Sequence, residues 1–349
     1  MSGAQPAAIP VSLITGFLGS GKTTLLTHLL HQPAMADTAV IINEFGEIGL
    51  DHQLVEADEG DIVLMKSGCL CCTIRNSLTE TLSSLYEKRA QNGIVQFGRV
   101  LIETTGLADP APILQILMDD PFLKSRFALA SVVTTVDALL GEGQLDEHME
   151  SVKQAAVADR LIVTKTDLAP ADKLDRLLQR LSRRNPGATV TASVRGAGVE
   201  PQMLFDTGLY DPAGKSADVL RWLRAEAYAQ ERAEPGHHHH DINRHDARIQ
   251  ACCLVYEQPI DWRYFSPNLA SLVSRHAEKL LRVKGILNIA GEPRPVVVHG
   301  VQQQFQRTFL SAWPDDDRRS RLVLITRDLD RAFLADWLRA DRLSGALPP

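Results

Sequence analysis

Cysteine is scarce in this chain of 349 residues: there are five, an odd number with three crowded together. That usage argues against a disulfide framework and for a reducing cytoplasm. Long apolar runs are missing, and no stretch approaches the roughly 18 residues that suggest a membrane span. No positive cluster precedes an apolar segment near Met1, so residues 1–10 read as a disordered lead-in and not as a secretory leader. Basic runs are also absent and the net charge is -6, which leaves nucleic acid and anionic membrane without an evident docking surface. No internal repeat is visible.

Hydrophobic residues make up 44% and charged residues 23%, the balance of a soluble globular protein. The length suits two domains, because single cores stop growing at about 250–300 residues. From Val11 to about Ser193, short apolar runs alternate with helical stretches, the pattern of a parallel sheet covered by helices. Expected strands are 11–15, 39–42, 62–65, 100–102, 131–136 and 161–164, rich in Val, Ile and Leu, as strands buried on both faces are. Leu78, Leu82, Leu85 and Tyr86 recur at helical spacing, predicting a helix that begins just past Cys72.

A second region from about Asp246 mixes strand-like runs at 250–256, 285–289, 296–299 and 321–326 with helical stretches near 269–281 and 331–338. The expected organisation is a lead-in at 1–10, an α/β P-loop NTPase domain with a mainly parallel sheet at 11–209, a linker at 210–245 and a smaller α+β domain at 246–349. The linker carries Pro212, Gly214, Pro235, Gly236 and the run His237-His238-His239-His240. Such a run either binds divalent ions loosely or is simply tolerated in a linker.

Residues Gly16 to Thr23, G-F-L-G-S-G-K-T, match G-x-x-x-x-G-K-[ST] in full, with an apolar strand before and a helix former after, as a phosphate loop requires. Glycines let backbone N–H groups curl round phosphates, and the helix N-terminus adds its positive dipole end. The expected phosphate set is Gly16, Gly19, Ser20, Gly21, Lys22, Thr23 and Thr24. Lys22 reaches the β and γ phosphates, and the Thr23 hydroxyl ligates Mg²⁺. Glu103 ends the apolar run Leu101-Ile102, where an acid holds Mg²⁺ through water in P-loop proteins or else caps the next helix. Gly106 would let a backbone N–H approach the γ phosphate.

Thr164-Lys165-Thr166-Asp167 resembles the guanine motif N-K-x-D. A carboxylate at Asp167 accepts two N–H bonds from guanine, whereas adenine turns an acceptor toward it, so GTP is the favoured nucleotide. Thr164 stands where Asn is usual. The bland alternative is a helix cap by Thr166 or Asp167.

Cys69, Cys71 and Cys72 are spaced to share one soft or borderline ion, zinc by ligand type, although a buried cysteine cluster without metal has the same pattern. No second C-x-x-C pair closes a four-ligand shell, which points to an open, exchangeable site. A thiolate at Cys72 near a helix start would be stabilised. Cys252-Cys253 lie in a strand-like run and should face opposite sides. Further ligands could come from Asn43-Glu44-Phe45-Gly46-Glu47-Ile48-Gly49, placed where a GTPase has its first switch. Glu47 then either joins the thiolates or, like Glu44, positions Mg²⁺ or the attacking water. His28, His31, His148 and His276 fall in helical contexts and read as surface or packing residues.

Taken together, Gly16–Thr23, Asn43–Glu47, Cys69–Cys72, Glu103–Gly106 with the following Leu107-Ala108-Asp109-Pro110, and Thr164–Asp167 resemble the CobW-like metal-insertion GTPases of the CobW/HypB/UreG family, in particular its YjiA-like branch. Lys284-Gly285-Ile286-Leu287 and His299-Gly300-Val301-Gln302 resemble that family's C-terminal module. The resemblance implies a slow GTPase that binds Zn²⁺ or a related ion at the cysteine motif and delivers it to a client metalloprotein. It also makes threonine at 164 normal for the branch. Client, physiological metal and self-association are left open. Two rival readings remain: a P-loop phosphotransferase, with an acceptor-dependent ATP reaction, and a non-catalytic zinc buffer, whose zinc binding is indifferent to Lys22→Ala.

Overall fold

β-Branched residues fill Ile9–Gly16, and such side chains pack best on a pleated, buried surface. In the computed structural model this segment is strand β1, buried throughout from Val11 on. The structure describes residues 8–42, 55–59, 62–65, 70–73, 77–94, 96–205, 249–302, 304–314 and 316–339, with backbone alone at 55–59, 62–65, 70–73, 304 and 306. The chain divides into two compact units, residues 1–144 with 158–177 and 189–210, and residues 145–157 with 178–188 and 211–349.

The first unit is built on a nine-stranded sheet in the order β3-β4-β5-β2-β6-β1-β7-β8-β9. Its other strands are β2 (Thr38–Ile42), β3 (Val55–Glu59), β4 (Ile62–Met65), β5 (Leu70–Thr73), β6 (Arg99–Glu103), β7 (Phe127–Asp137), β8 (Arg160–Thr164) and β9 (Thr189–Ala192). From β5 to β9 every neighbouring pair is parallel, and β3 and β4 add an antiparallel edge. Helix α1 (Lys22–Leu30) lays Leu25, Leu26, Leu29 and Leu30 against Ile14, Val40, Leu101, Val133 and Ile162 of the central strands. All strand C-termini of the parallel set therefore open onto one edge, where the loops that carry the motifs begin.

Helix α2 (Leu78–Ala90) starts at the first of its periodic residues and not just past Cys72 as expected. Ser77 caps it by accepting from the Glu80 N–H at 3.1 Å, and Glu80 sits in the first turn, a capping-box arrangement. Leu70–Thr73 extends as β5, paired with Ala39–Ile42 of β2. Cys72 thus belongs to a strand and not to a helix N-terminus. The expected dipole stabilisation of its thiolate is withdrawn.

The second sheet runs β10-β14-β11-β12-β13, antiparallel throughout. Its strands are β10 (Ile249–Tyr256), β11 (Leu280–Leu287), β12 (Val296–Val301), β13 (Gln304–Phe309) and β14 (Ser320–Arg327). The remaining helices of the described residues are α3 (Ala111–Asp119), α4 (Pro121–Arg126), α5 (Gly141–Glu147), α6 (Met149–Val157), α7 (Ala171–Arg184), α8 (Pro201–Phe205), α9 (Trp262–His276) and α10 (Arg331–Trp337). Leu280 and Leu281, read as the end of a helix, are strand, because α9 stops at His276 and β11 starts at Leu280. Phe265, Leu269 and Leu272 of α9 pack with Cys252, Val283, Leu322 and Leu324, while Cys253 belongs to a separate cluster with Ile286, Val297 and Val323. The two cysteines do face opposite sides. No helix among the described residues is long and apolar enough to cross a membrane.

Phe265 is fully buried and meets the Tyr256 ring edge-on at 5.8 Å. Phe265→Ala is expected to destabilise this unit by about 3–5 kcal/mol. Urea unfolding followed by tryptophan fluorescence, with Trp262 and Trp337 in the same cluster, should show a lower midpoint; an unchanged midpoint contradicts the packing.

Candidate functional site

At the end of β1 the chain must turn sharply, and Gly16 does so at φ 144°. A Cβ there would come within 2.3 Å of Thr135 Oγ1 and 2.5 Å of the Thr135 carbonyl, so only glycine fits. The loop closes when the Ser20 N–H donates to the Phe17 carbonyl at 3.1 Å. Gly21, left-handed at φ 90°, is the N-cap of α1 and offers no capping side chain. A helix N-terminus capped by glycine suits a phosphate, since the N-cap makes no side-chain hydrogen bond to the first turn.

Lys22 is buried, and its Nζ donates to the carbonyls of Gly16 at 2.8 Å and Phe17 at 3.2 Å. The ammonium therefore arches back over the loop. Thr23, half-buried, and Thr24, exposed, follow in the first turn of α1.

Buried hydroxyls fasten the loop to the strand ends. Ser20 Oγ and Thr135 Oγ1 lie 2.6 Å apart, and the Thr135 hydroxyl donates to the Thr15 carbonyl at 3.3 Å. On the other flank of β1 the Thr104 hydroxyl donates to Thr15 Oγ1 at 2.8 Å. Thr164 donates to the Ser20 carbonyl at 2.7 Å. The departure from asparagine at 164 thus supplies an anchor for the phosphate loop.

Lys165 adopts a left-handed backbone at φ 55°. Its Nζ donates to the Gly19 carbonyl at 2.7 Å and to Asp137 Oδ2 at 2.6 Å. Asp167, two residues on, is exposed. Gly106 abuts the loop: a Cβ there would meet Leu18 Cδ2 at 2.6 Å and the Leu18 backbone N at 2.8 Å. Glu103 is buried at the end of β6, paired in register with Ile14 of β1 and Ile42 of β2.

On the far side of β2 the ladder reaches the cysteine segment. Cys71 pairs with Val40, Cys72 with Ile41 and Thr73 with Ile42, while β4 brings Val63 opposite Cys71 and Ile62 opposite Cys72. Thr73, Ile42 and Glu103 therefore form one row across β5, β2 and β6. Cys69, Glu44, Glu47 and His237–His240 lie outside the described residues. Among the described residues no group of three or more His, Cys, Asp or Glu is gathered as a metal site. The helical histidines are packing or surface groups: His31 Nδ1 lies 2.7 Å from the Thr27 carbonyl, and His276 meets the Phe333 and Trp337 rings edge-on.

Sequence reasoning missed Asp137, Thr15, Thr135 and Gln144, whose Nε2 donates to the Leu18 carbonyl at 3.4 Å. Asp137 had a readable signal. It ends a long apolar strand in a carboxylate, the same feature that singled out Glu103.

Residues 10–192 match the CobW/HypB/UreG nucleotide-binding domain, and residues 249–341 match the cobalamin synthesis protein cobW C-terminal domain. The chain belongs to the CobW/HypB/UreG family. Among its CobW-type relatives, the zinc chaperone YjiA of Escherichia coli is 34% identical over 91% of this chain and 93% of its own length. The zinc chaperone CobW of Pseudomonas aeruginosa is 31% identical over 95% of this chain and 91% of its own length. A crystal structure of zinc-bound YjiA GTPase from E. coli, 33% identical, superposes with a TM-score of 0.71, covering 95% of this chain and 99% of that one. The α/β P-loop architecture with its C-terminal domain is thus that of the family.

Because Gly106 lies against the Leu18 backbone, Gly106→Ala must displace the phosphate loop. Binding of a fluorescent guanine nucleotide is expected to weaken at least about tenfold, the equivalent of 1.4 kcal/mol. Unchanged affinity with native folding contradicts the close approach.

Proposed function

We propose that this chain is a slow GTPase that binds Zn²⁺, or a related divalent ion, through Cys69, Cys71 and Cys72 and passes it to a client metalloprotein under nucleotide control. The observation that carries this reading is the row Thr73–Ile42–Glu103. Two strand spacings of about 4.8 Å set the backbone next to Cys72 roughly 10 Å from the backbone of Glu103 at the nucleotide edge. Ile42, in the middle of that row, ends β2, and the segment bearing Glu47 follows it directly in sequence, so one strand adjoins both the cysteine segment and that segment. Two zinc chaperones and a zinc-bound GTPase among the relatives support the same reading.

In the reaction, Lys22 and the amides of the phosphate loop stabilise charge on the transferring phosphoryl group. The hydroxyl of Thr23 and the carboxylate of Glu103 are hard oxygen donors suited to Mg²⁺; when bound, that ion neutralises charge on the β and γ phosphates. Gly106 brings its amide to the γ phosphate. Lys165 and Asp167 select guanine, with Thr164 holding the turn to the loop. Glu44, Glu47 or a partner's group orients the attacking water.

Loss of the γ phosphate relaxes the Glu47 loop and with it the metal shell, which releases the ion. In this reading residues 11–209 form the GTPase domain, 210–245 a histidine-bearing linker and 246–349 a module that engages the client, all in the cytoplasm.

Hydrolysis of GTP measured with and without stoichiometric Zn²⁺, on the native chain and on Cys71→Ala, tests this. The expected result is slow GTP turnover whose rate responds to zinc, with the response lost and the basal turnover kept in Cys71→Ala. An acceptor-dependent ATP reaction would establish a phosphotransferase instead. Zinc binding with negligible GTP turnover would establish a buffer.

A further inference from the structure

We propose that Asp137 is a positioning residue that locks the guanine-recognition turn to the phosphate loop through Lys165. This rests on the guanine reading of Lys165 and Asp167. Asp137 ends β7 with 1% of its side chain exposed, a position where an ionised carboxylate is costly unless paired and hydrogen-bonded. Both of its oxygens are engaged. Oδ1 accepts from the N–H groups of Leu139 at 2.7 Å and Leu140 at 3.0 Å, which fixes the turn leaving the strand. Oδ2 faces the Lys165 ammonium at 2.6 Å.

That ammonium has a second bond, to the Gly19 carbonyl at 2.7 Å. It therefore bridges two fixed points, one at the end of β7 and one inside the phosphate loop. Backbone pairing reinforces the bridge, since the Ala138 N–H donates to the Thr164 carbonyl at 2.9 Å. The left-handed conformation of Lys165, uncommon for a residue with a side chain, is held by these contacts. Asp167 lies on the same turn. Tension at the base end is thereby transmitted to Gly19, and the loop amides and the base acceptor move as one body. The bridge joins Asp137 to the Gly19 carbonyl and holds no group assigned to phosphoryl transfer, so the lock governs nucleotide binding and leaves the chemical step alone.

Asp137→Asn keeps Oδ1 as the acceptor for both amides and replaces Oδ2, the acceptor of the Lys165 ammonium, by an amide donor. Affinities for GDP and for a GTP analogue are expected to fall together, by at least about tenfold, with KM raised and kcat within about twofold. Lys165→Met should show the same loss, and the double variant should lose little more than either single one, the non-additivity of one shared bridge. Should Asp137→Asn fail to fold, Lys165→Met, altered at a side chain 37% exposed, removes the bridge together with the contribution of Lys165 to base selection; equal losses for GDP and ADP then mark the bridge, and a loss confined to GDP overturns it. Unchanged affinity, additive losses, or a fall in kcat at constant KM would overturn the proposal. Competition of GDP against ADP on the native chain separates the two ideas: equal affinities overturn the guanine reading, and the lock is then judged from the same cycle with ADP.

Discussion

Every group at the nucleotide edge depends on the phosphate loop keeping one shape, and buried side chains from four strands enforce it. Thr15 of β1, Thr104 just past β6, Thr135 of β7 and Thr164 of β8 are all buried, and each engages the loop directly or through β1. In a low-dielectric interior an unpaired hydroxyl or carbonyl is costly, so the alternatives to this arrangement are removed together. What results is a preformed cradle of amides, with Gly16 and Gly106 as the two places where backbone must approach backbone too closely for a side chain.

The same sheet carries that rigidity toward the cysteine segment. Strand β2 is fully buried and shared between β6 on one side and β5 on the other. A parallel ladder held on both flanks resists sliding. A change in the loop that follows Ile42 therefore has a short, stiff neighbour on which to act. Coupling of this kind needs no long pathway, because only β2 separates the cysteine strand from the strand ending in Glu103.

Much of the fold was legible because its signals are local. The match from Gly16 to Thr23 and the apolar strands are each contained in a few consecutive residues. Where local and long-range preferences competed, the long-range one won. Leu70–Thr73 is a strand because β2 and β4 offer partners on both sides, a fact no window of sequence contains. Strand β13, Q-F-Q-R-T-F, carries too few apolar residues to declare itself and forms as the edge beside β12. Asp137 ends an apolar strand and was legible as a carboxylate at the nucleotide edge, but its partner Lys165, 28 residues away, was not. Thr164, standing where N-K-x-D has asparagine, donates to the Ser20 carbonyl 144 residues earlier, a contact no window of sequence contains.

The central claim is that nucleotide state and metal affinity are linked through this one sheet. The direct measurement is the Zn²⁺ dissociation constant of the native chain saturated with a non-hydrolysable GTP analogue and, separately, with GDP. The account predicts tighter zinc binding with the analogue, by roughly 5–150-fold as typical couplings run. Equal affinities in the two states would contradict it.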